Sequence, residues 1–353
     1  MDRVVTPIEI AHRKVGPGQP CFIIAEAGVN HNGDLPLAKR LVDAAVAAKA
    51  DAVKFQTFKA QRLVTRMAPK AAYQARATGG GESQYEMLRR LELSAQAHRE
   101  LLGLCQAQGI LFMSTPFDEE SADLLDGLGV AVFKIPSGEL TNLPLLTHVA
   151  RKGRPMIVST GMSTLEEVEL AVRTMEESGN RAMILLHCVS SYPADPADAN
   201  LRAMETLAET FQVPVGYSDH TPGIEVAIAA VARGACVIEK HFTLDRRLPG
   251  PDHRASLEPN GLTALVRGIR VVESALGHGR KEPAPSEADT AAIARKSLVA
   301  ARDLARGTKL RREDIAIKRP GTGLQPALHS EVVGRVINQD VSADTLLSLE
   351  MLE

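Results

Sequence analysis

A (β/α)8 barrel followed by a small, separate β-containing module is the fold this sequence predicts. Eight short β-prone runs alternate with longer amphipathic stretches between residues 22 and 276, the rhythm of a parallel sheet wrapped in helices. Each run passes from apolar to polar residues at its carboxyl end. Beyond Gly277 the rhythm stops at a Gly/Pro/charge-rich stretch, and shorter runs with closely spaced turn signals follow.

In chain order the strand runs are 22–27, 52–57, 110–115, 130–136, 156–160, 182–188, 213–218 and 236–243. Nearly continuous apolar runs of this length suit strands buried on both faces. Helical patterns fall at 35–49, 95–108, 119–127, 164–178, 200–210 and 224–233, and 259–276 closes the series. Residues 59–92, with Gly79-Gly80-Gly81, read as an insertion after the second strand that can move over the barrel mouth. The composition of 278–296 predicts a linker. The module at 297–353 carries β-like runs at 297–300, 315–318 and 332–337, which leaves 1–277 as the barrel domain.

At 353 residues the chain exceeds a usual single core, in keeping with one large and one small domain. Forty-one basic against 43 acidic residues, a net charge of -2 and no long single-sign run argue against nucleic acid as a partner. No apolar stretch approaches the roughly 20 residues that span a bilayer, and the start, residues 1–7, lacks a signal peptide's apolar core. The expectation is a cytoplasmic protein with no membrane partner. Cys21, Cys105, Cys188 and Cys236 are widely spaced and read as buried thiols. Cys188, after His187, is the one candidate for a catalytic thiol, with core packing the simpler role. The absence of tryptophan and 3% aromatics leave Ala, Leu and Val to fill the core.

A barrel of this kind builds its active site at the carboxyl ends of its strands. The polar residues there are Glu26, Asn30 and His31; Lys54, Gln56 and Thr57; Ser114 and Thr115; Lys134, Ser137 and Glu139; Ser159 and Thr160; His187, Ser190 and Tyr192; Ser218 and His220; and Glu239, Lys240 and His241. His220 and His241 end successive strands separated by one helix, so both imidazoles come to the same end of the sheet. One histidine at a strand end is usually a hydrogen-bonded loop residue. Two at equivalent ends, with Asp219, Thr221, Glu239 and Thr243 as oxygen neighbours and no cysteine pair nearby, point to a divalent metal site. Manganese suits that ligand set better than a structural zinc, with magnesium or cobalt as alternatives.

Lys54 and Lys134 form the other key pair, since each follows apolar residues within a strand. A lysine aimed into a barrel is costly unless it meets an anion. A structural salt bridge explains one such lysine as well as a ligand does. Two of them, with the hydroxyls of Thr115, Ser137, Ser159 and Ser218, are better explained by a phosphate or carboxylate ligand. A Schiff-base lysine is the rival, but two lysines beside a metal pair suit a multiply charged substrate.

Several segments then carry a resemblance in order along nearly the whole chain. They are Ile23-Ile24-Ala25-Glu26-Ala27-Gly28-Val29-Asn30-His31-Asn32-Gly33, Val53-Lys54-Phe55-Gln56-Thr57, Ser114-Thr115-Pro116-Phe117, Lys134-Ile135-Pro136-Ser137-Gly138-Glu139, Ser159-Thr160-Gly161-Met162, Gly216-Tyr217-Ser218-Asp219-His220-Thr221, Glu239-Lys240-His241-Phe242-Thr243 and Gly250-Pro251-Asp252-His253. These closely resemble the sialic acid synthases, and Ile317-Lys318-Arg319-Pro320-Gly321-Thr322-Gly323 resembles the antifreeze-like (SAF) domain that follows their TIM barrel.

The resemblance implies condensation of phosphoenolpyruvate with an N-acetylmannosamine-type sugar, giving a nine-carbon 2-keto acid and phosphate. It implies a metal on His220 and His241 that polarises the sugar aldehyde for attack by carbon 3 of phosphoenolpyruvate. Water then adds at carbon 2 and phosphate leaves by C–O cleavage. By similarity Lys54, Thr115, Lys134, Ser137, Ser159, Ser190 and Ser218 hold phosphoenolpyruvate. Glu26, Gln56, Tyr192 and Asp252 bind the sugar, with Glu26 also among the catalytic groups, Glu239 meets the reacting centre and its water, and Glu139 is a further site residue. The family also implies a homodimer with a swapped small domain, in which Arg319 reaches the partner's site to bind the sugar's N-acetyl group; read alone, Arg319 is an exposed loop arginine.

Three positions depart from the commoner pattern: Ser190 where several members have asparagine, Phe55 where some have histidine, and Gly250-Pro251-Asp252-His253-Arg254-Ala255-Ser256. The last has the form of relatives acting on deoxygenated diacetamido sugars, which makes 2,4-diacetamido-2,4,6-trideoxymannose a competitor to N-acetylmannosamine as acceptor. Two other readings remain open at this stage. A metal-dependent aldolase on the same barrel would use paired histidines but release no phosphate, and a non-catalytic carbohydrate-binding protein would leave the two inward lysines without a task.

Overall fold

The computed structural model describes residues 5–353; residues 1–4, part of the start read as lacking a signal peptide, lie outside them. The chain divides into two compact units, Met1–Gly277 and His278–Glu353. The first begins with a hairpin of β1 (Ile8–Ile10) and β2 (Arg13–Val15), paired antiparallel through a turn in which Ala11 and His12 take positive φ. Three-residue strands carry too little alternation to be seen in sequence, and the hairpin is an addition to the expected elements. Its Ile10 and Val15 pack on Phe22, Ile24, Met113, Ile157 and Val237, an apolar layer across the amino-terminal end of the barrel.

Eight strand–helix units follow. They comprise β3 (Phe22–Gly28) and α1 (Leu35–Ala47); β4 (Ala52–Thr57), the short helices α2 (Ala60–Leu63), α3 (Ala72–Thr78) and α4 (Gln84–Arg90), and α5 (Ala95–Gln108); β5 (Leu111–Pro116) and α6 (Glu119–Gly127); and β6 (Phe133–Ile135) and α7 (Leu143–Ala150). The series continues through β7 (Met156–Ser159), α8 (Leu165–Glu177), β8 (Met183–Cys188), α9 (Ala203–Phe211), β9 (Val215–Asp219), α10 (Glu225–Ala232), β10 (Val237–His241) and α11 (Pro259–Leu276). The eight strands are hydrogen-bonded in the order β5-β4-β3-β10-β9-β8-β7-β6, parallel throughout, and β5 lies against β6. The expected barrel of eight parallel strands is therefore the observed one.

Strand pleating decides which side chains reach the lumen. Ile23, Ala25 and Ala27 pack outward on the helices with Val53, Phe55, Phe133 and Ile238, whereas Phe22, Ile24, Ala52, Val132, Ile184 and Val237 point inward. Continuing the inward set by twos gives Glu26, Lys54, Lys134, Glu239 and His241, and Ser218 joins them because Val215 and Tyr217 of β9 pack outward. The lower lumen is thus apolar and the upper lumen charged. Helix starts are fixed by capping side chains: Asp34, Ser94, Asp118 and Thr164 each accept a hydrogen bond from a first-turn amide.

Residues 59–92 follow the second barrel strand as an insertion and form α2, α3 and α4, with Met87, Leu88 and Leu91 packed on Val29, Phe58 and Ala60. Helix α7 went unrecognised because eight mostly apolar residues, Leu-Pro-Leu-Leu-Thr-His-Val-Ala, show no clear polar face.

The second unit holds α12 (Ala288–Ala294), β11 (Ser297–Ala300), β12 (Ile315–Lys318) and α13 (His329–Val332). Strands β11 and β12 pair antiparallel over Leu298, Leu304, Leu310, Val332, Ile337 and Leu347. Helix α12 stands where a linker was expected, and its Ala292 carbonyl accepts the Gly321 amide at 2.7 Å, so this stretch belongs to the module. The expected strand at 332–337 is absent: Val332 ends α13, and Val336 and Ile337 make only isolated bridges to Lys309 and Leu352. Among the described residues no helix is long and apolar enough to cross a membrane.

Candidate active site

The inward side chains at the carboxyl ends of the barrel strands meet around a narrow cavity of about 60 Å³, lined by Glu26, Lys54, Gln56, Thr115, Lys134, Ser137, Ser159, Cys188, Tyr192, Ser218, His220, Glu239 and His241. A wider cavity of about 410 Å³ shares Gln56, Ser137, Tyr192 and His241 with it and adds Ser190 and Asp252. Of the residues that the family resemblance assigns to metal or substrate, all but Glu139 and Arg319 line one cavity or the other.

Lys54 and Lys134 lie deepest, both almost fully buried. Lys54 Nζ is 2.7 Å from Glu26 Oε2 and donates to Thr115 Oγ1 at 2.9 Å; Lys134 Nζ donates to Ser159 Oγ at 2.7 Å and to the Ile135 carbonyl at 3.1 Å. Glu239 lies between them, 3.7 Å from Lys54 and 3.6 Å from Lys134, and accepts from Ser218 Oγ at 3.1 Å. Both lysines thus have carboxylate neighbours, as a structural ion pair requires. The array is not balanced, however. Burial alone would raise the Glu239 carboxyl, but Lys134 and Lys54 overcome it and hold Glu239 ionised, well below the usual carboxylate range. Burial pushes Glu26 the other way, towards the protonated form, against the pull of Lys54. Two buried cations facing one firmly ionised carboxylate leave positive potential for an anion. Oε2 of Glu239, 3.7 Å from Lys54 Nζ, has no hydrogen-bond partner, so the array can accept a further donor.

His220 and His241 sit beside this array with ring centroids 5.5 Å apart, and Tyr192 packs on both, at 4.2 and 5.9 Å. His220 Nδ1 lies 2.8 Å from the Val189 carbonyl, which fixes the hydrogen on Nδ1 and leaves Nε2 with its lone pair. His241 is buried, its Nδ1 has no hydrogen-bond partner, and burial and the neighbouring His220 depress its basicity. Burial lowers the basicity of His220, but Cys188 and the Val189 carbonyl outweigh it, so a divalent ion would displace a proton there; with both rings deprotonated, their lone pairs fit such an ion. Among the described residues no group of three or more His, Cys, Asp or Glu side chains could hold a metal, so these two nitrogens would need oxygen ligands from substrate or water.

Strand pleating corrects the expected oxygen neighbours. Asp219 points away from the lumen and pairs with Lys240 at 2.6 Å, Thr221 bonds to Asp219, and Thr243 bonds to His253, so Glu239 is the carboxylate on the imidazole side. Several other strand-end residues also serve the scaffold. Thr57 bonds Ser114 and His98, His187 bonds the Ala199 carbonyl, and Asn30 donates to the Phe242 carbonyl and to Ser256. Cys188 does reach the site, with Sγ 3.7 Å from His220 Nδ1.

Glu139 is not brought together with the rest, and Arg319 belongs to the second unit. Glu139 lines neither cavity, and its carboxylate accepts from Asn142 Nδ2 at 2.7 Å, at the start of α7. Arg319 follows β12 in the second unit and is exposed.

Local backbone makes room for these groups. A side chain at Gly161 would place Cβ 2.4 Å from Ser190 Oγ and 2.8 Å from Ser137 Oγ. Gly28 takes a φ of +54°, and a Cβ there would lie 3.2 Å from Glu26 Oε1 and 3.4 Å from Gln56 Nε2 and His241 Cε1.

Sequence reading missed the outer wall. The wider cavity is also lined by Leu63, Val64, Tyr73, Gln74, Gln84, Met87, Leu88, Phe117 and Met162, and Tyr73 packs on Tyr192 at 4.9 Å. Most of these come from α2, α3 and α4, short helices without a readable period; the signal available was their place directly after a strand's carboxyl end. Asp252 is buried in the same wall, and burial pushes its carboxyl up to about 6.

Comparison with known proteins places this geometry in context. The family model described as "NeuB family" matches residues 41–281, and that of the SAF domain matches residues 295–353. The N,N'-diacetyllegionaminic acid synthase of Legionella pneumophila is 52% identical over 96% of this chain and 96% of its own. The synthase of the same name from Campylobacter jejuni is 47% identical over 92% of this chain and 98% of its own. Among solved structures, the N-acetylneuraminic acid (sialic acid) synthetase of Leptospira borgpetersenii, in complex with citrate, is 39% identical with a TM-score of 0.72, covering 82% of this chain and 96% of that one.

Proposed function

The chain belongs to the NeuB family, and on that premise we propose that it is a nonulosonate synthase condensing phosphoenolpyruvate with 2,4-diacetamido-2,4,6-trideoxymannose to N,N'-diacetyllegionaminate and phosphate. The observation that carries this reading is the junction of two buried lysines with two imidazoles at the base of a larger, partly apolar cavity. Aldol cleavage alone gives the lysine pair less to do, since it involves no phosphate leaving group.

Lys54 and Lys134, with Thr115, Ser137, Ser159, Ser190 and Ser218, receive the phosphate and carboxylate of phosphoenolpyruvate. His220 and His241 would hold a divalent ion, most suitably Mn2+, which supplies Lewis acidity toward the sugar's aldehyde oxygen. Carbon 3 of phosphoenolpyruvate forms the new bond to the aldehyde carbon, and carbon 2 becomes electron-poor. Glu239, ionised and aimed into the lumen, stabilises that charge and takes a proton from the water that adds there. Breaking the bond from carbon 2 to the phosphate oxygen, while the added hydroxyl gives its remaining proton to the departing phosphate, then releases phosphate and leaves the keto group. Glu26, which burial biases toward its protonated form, is placed to donate to the new alkoxide.

The acceptor assignment rests on the wall of the wider cavity. Leu63, Val64, Met87, Leu88 and Phe117 offer apolar surface, while Gln56, Gln74, Gln84, Tyr192 and Asp252 offer donors and acceptors. A methyl group and two acetamido groups match this mixture better than a hydroxymethyl group, whose hydroxyl would lose water against apolar side chains. The identities of 52% and 47% to two N,N'-diacetyllegionaminic acid synthases support the same acceptor. We further assign a homodimer in which Arg319 of one chain completes the other's sugar site. The compartment is the cytoplasm, in keeping with four buried, free cysteines.

The test is phosphate release from phosphoenolpyruvate with Mn2+ and each sugar separately. The diacetamido trideoxy sugar should give a kcat/KM at least about tenfold above that for N-acetylmannosamine, the discrimination expected for a group placed on apolar wall. The reverse preference would overturn the acceptor, and no phosphate with either sugar would overturn the synthase reading.

A further inference from the structure

Directly behind the two imidazoles, on the helix-facing side of the sheet, lies an ion pair that the condensation does not use. Lys240 precedes His241 and Asp219 precedes His220, and the two are register partners on β10 and β9. Their side chains are 1% and 0% exposed, and Lys240 Nζ lies 2.6 Å from Asp219 Oδ2. The same ammonium donates to the Thr221 carbonyl at 2.5 Å. The other carboxylate oxygen, Oδ1, accepts from the Thr221 amide at 2.9 Å and its hydroxyl at 2.8 Å. The residues on both sides of His220 are therefore tied to the residue before His241.

Stability is a poor reason for such a pair. Burying two charges costs several kcal/mol per ion, and apolar replacements of a whole buried pair are often neutral or stabilising. The imidazoles supply a better reason. A ligating histidine is ordinarily oriented by a hydrogen bond from its second ring nitrogen. His220 has one, to the Val189 carbonyl, whereas His241 Nδ1 has none. What fixes His241 against His220 must come largely from the backbone that carries them. Among the described residues the only lumen-side hydrogen bond between β9 and β10 side chains is that from Ser218 to Glu239, a level below the imidazoles.

We propose that the Lys240–Asp219 pair is a positioning clamp that sets the spacing and orientation of His220 and His241, and thereby the affinity of the two-imidazole site for a divalent cation. The proposal rests on the metal reading given above and extends it to residues that touch neither metal nor substrate.

The experiment is calorimetric titration of Mn2+ into chelator-treated full-length protein, with thermal unfolding recorded for every variant. Asp219→Asn and Lys240→Met each remove one charge, and the double variant Asp219→Leu with Lys240→Met removes both without stranding either. The double variant should unfold within a few degrees of wild type and bind Mn2+ about tenfold more weakly or worse, the scale of lost outer-shell support. A folded double variant that binds Mn2+ within twofold of wild type overturns the clamp, as does failure of all three variants to fold, which would make the pair a stability element. Wild-type protein that binds Mn2+ no better than His241→Ala removes the metal reading and the clamp together. Normal wild-type binding with an undisturbed double variant removes the clamp alone.

Discussion

Lys134 is the residue whose surroundings say most about substrate charge. It is almost fully buried, and its Nζ meets one hydroxyl, one carbonyl and, at 3.6 Å, the edge of Glu239. That is less compensation than a structural lysine ordinarily requires. Lys134→Met should therefore raise KM for phosphoenolpyruvate and lower kcat/KM about 100-fold, the usual cost of losing one preorganised group opposite developing charge. Mn2+ affinity should stay near wild type, because Lys134 is not a ligand. Steady-state kinetics near wild type would instead make Lys134 a core ion-pair member. At this scale the sequence was readable wherever a polar residue interrupted an apolar strand, as at Lys54, Lys134, Glu239 and His241. It misled at Asp219 and Thr243, because adjacency along a strand places successive side chains on opposite faces.

Elements, rather than single groups, hold the loop after β3 in place. His31 there is fully buried, its Nδ1 accepts the Gly33 amide at 3.0 Å, and burial lowers its imidazole to about 4. The ordinary imidazole value in the unfolded chain is near 6.5. Between those values the unfolded chain binds the proton that the folded one refuses, so stability rises with pH across this window and is lost as pH falls through it. Urea unfolding at pH 5 should show a loss of about 2 kcal/mol relative to pH 7.5 from this group, and His31→Asn should remove much of the difference. An unchanged pH dependence in His31→Asn would mean that His31 is not the proton acceptor. The barrel strands and longer helices were legible because period and length agreed with burial. The three-residue strands of the hairpin, helix α7 and the helices of 59–92 were not, since elements of three to eight residues carry too few turns or alternations to declare a face.

For the whole molecule, the open question is how the second unit serves the first. Its two strand runs, β11 and β12, were visible in sequence, while their pairing and the core beneath them were not, and Arg319 stands exposed after β12. Mixing Arg319→Ala with His220→Ala chains, each inactive alone, should restore about a quarter of wild-type activity if subunits exchange at random and each site draws Arg319 from the partner. Recovery that fails under conditions shown to exchange subunits would place Arg319 in its own chain's site or outside catalysis. The central claim concerns the bond that breaks at the lysine end of the barrel. Phosphoenolpyruvate carrying oxygen-18 in its bridging position, turned over with the diacetamido trideoxy sugar and Mn2+ and followed by mass spectrometry, tests it most directly. The label should leave with phosphate, beside an unlabelled nine-carbon keto acid. Label retained in the keto acid, or no labelled phosphate at all, would contradict the account.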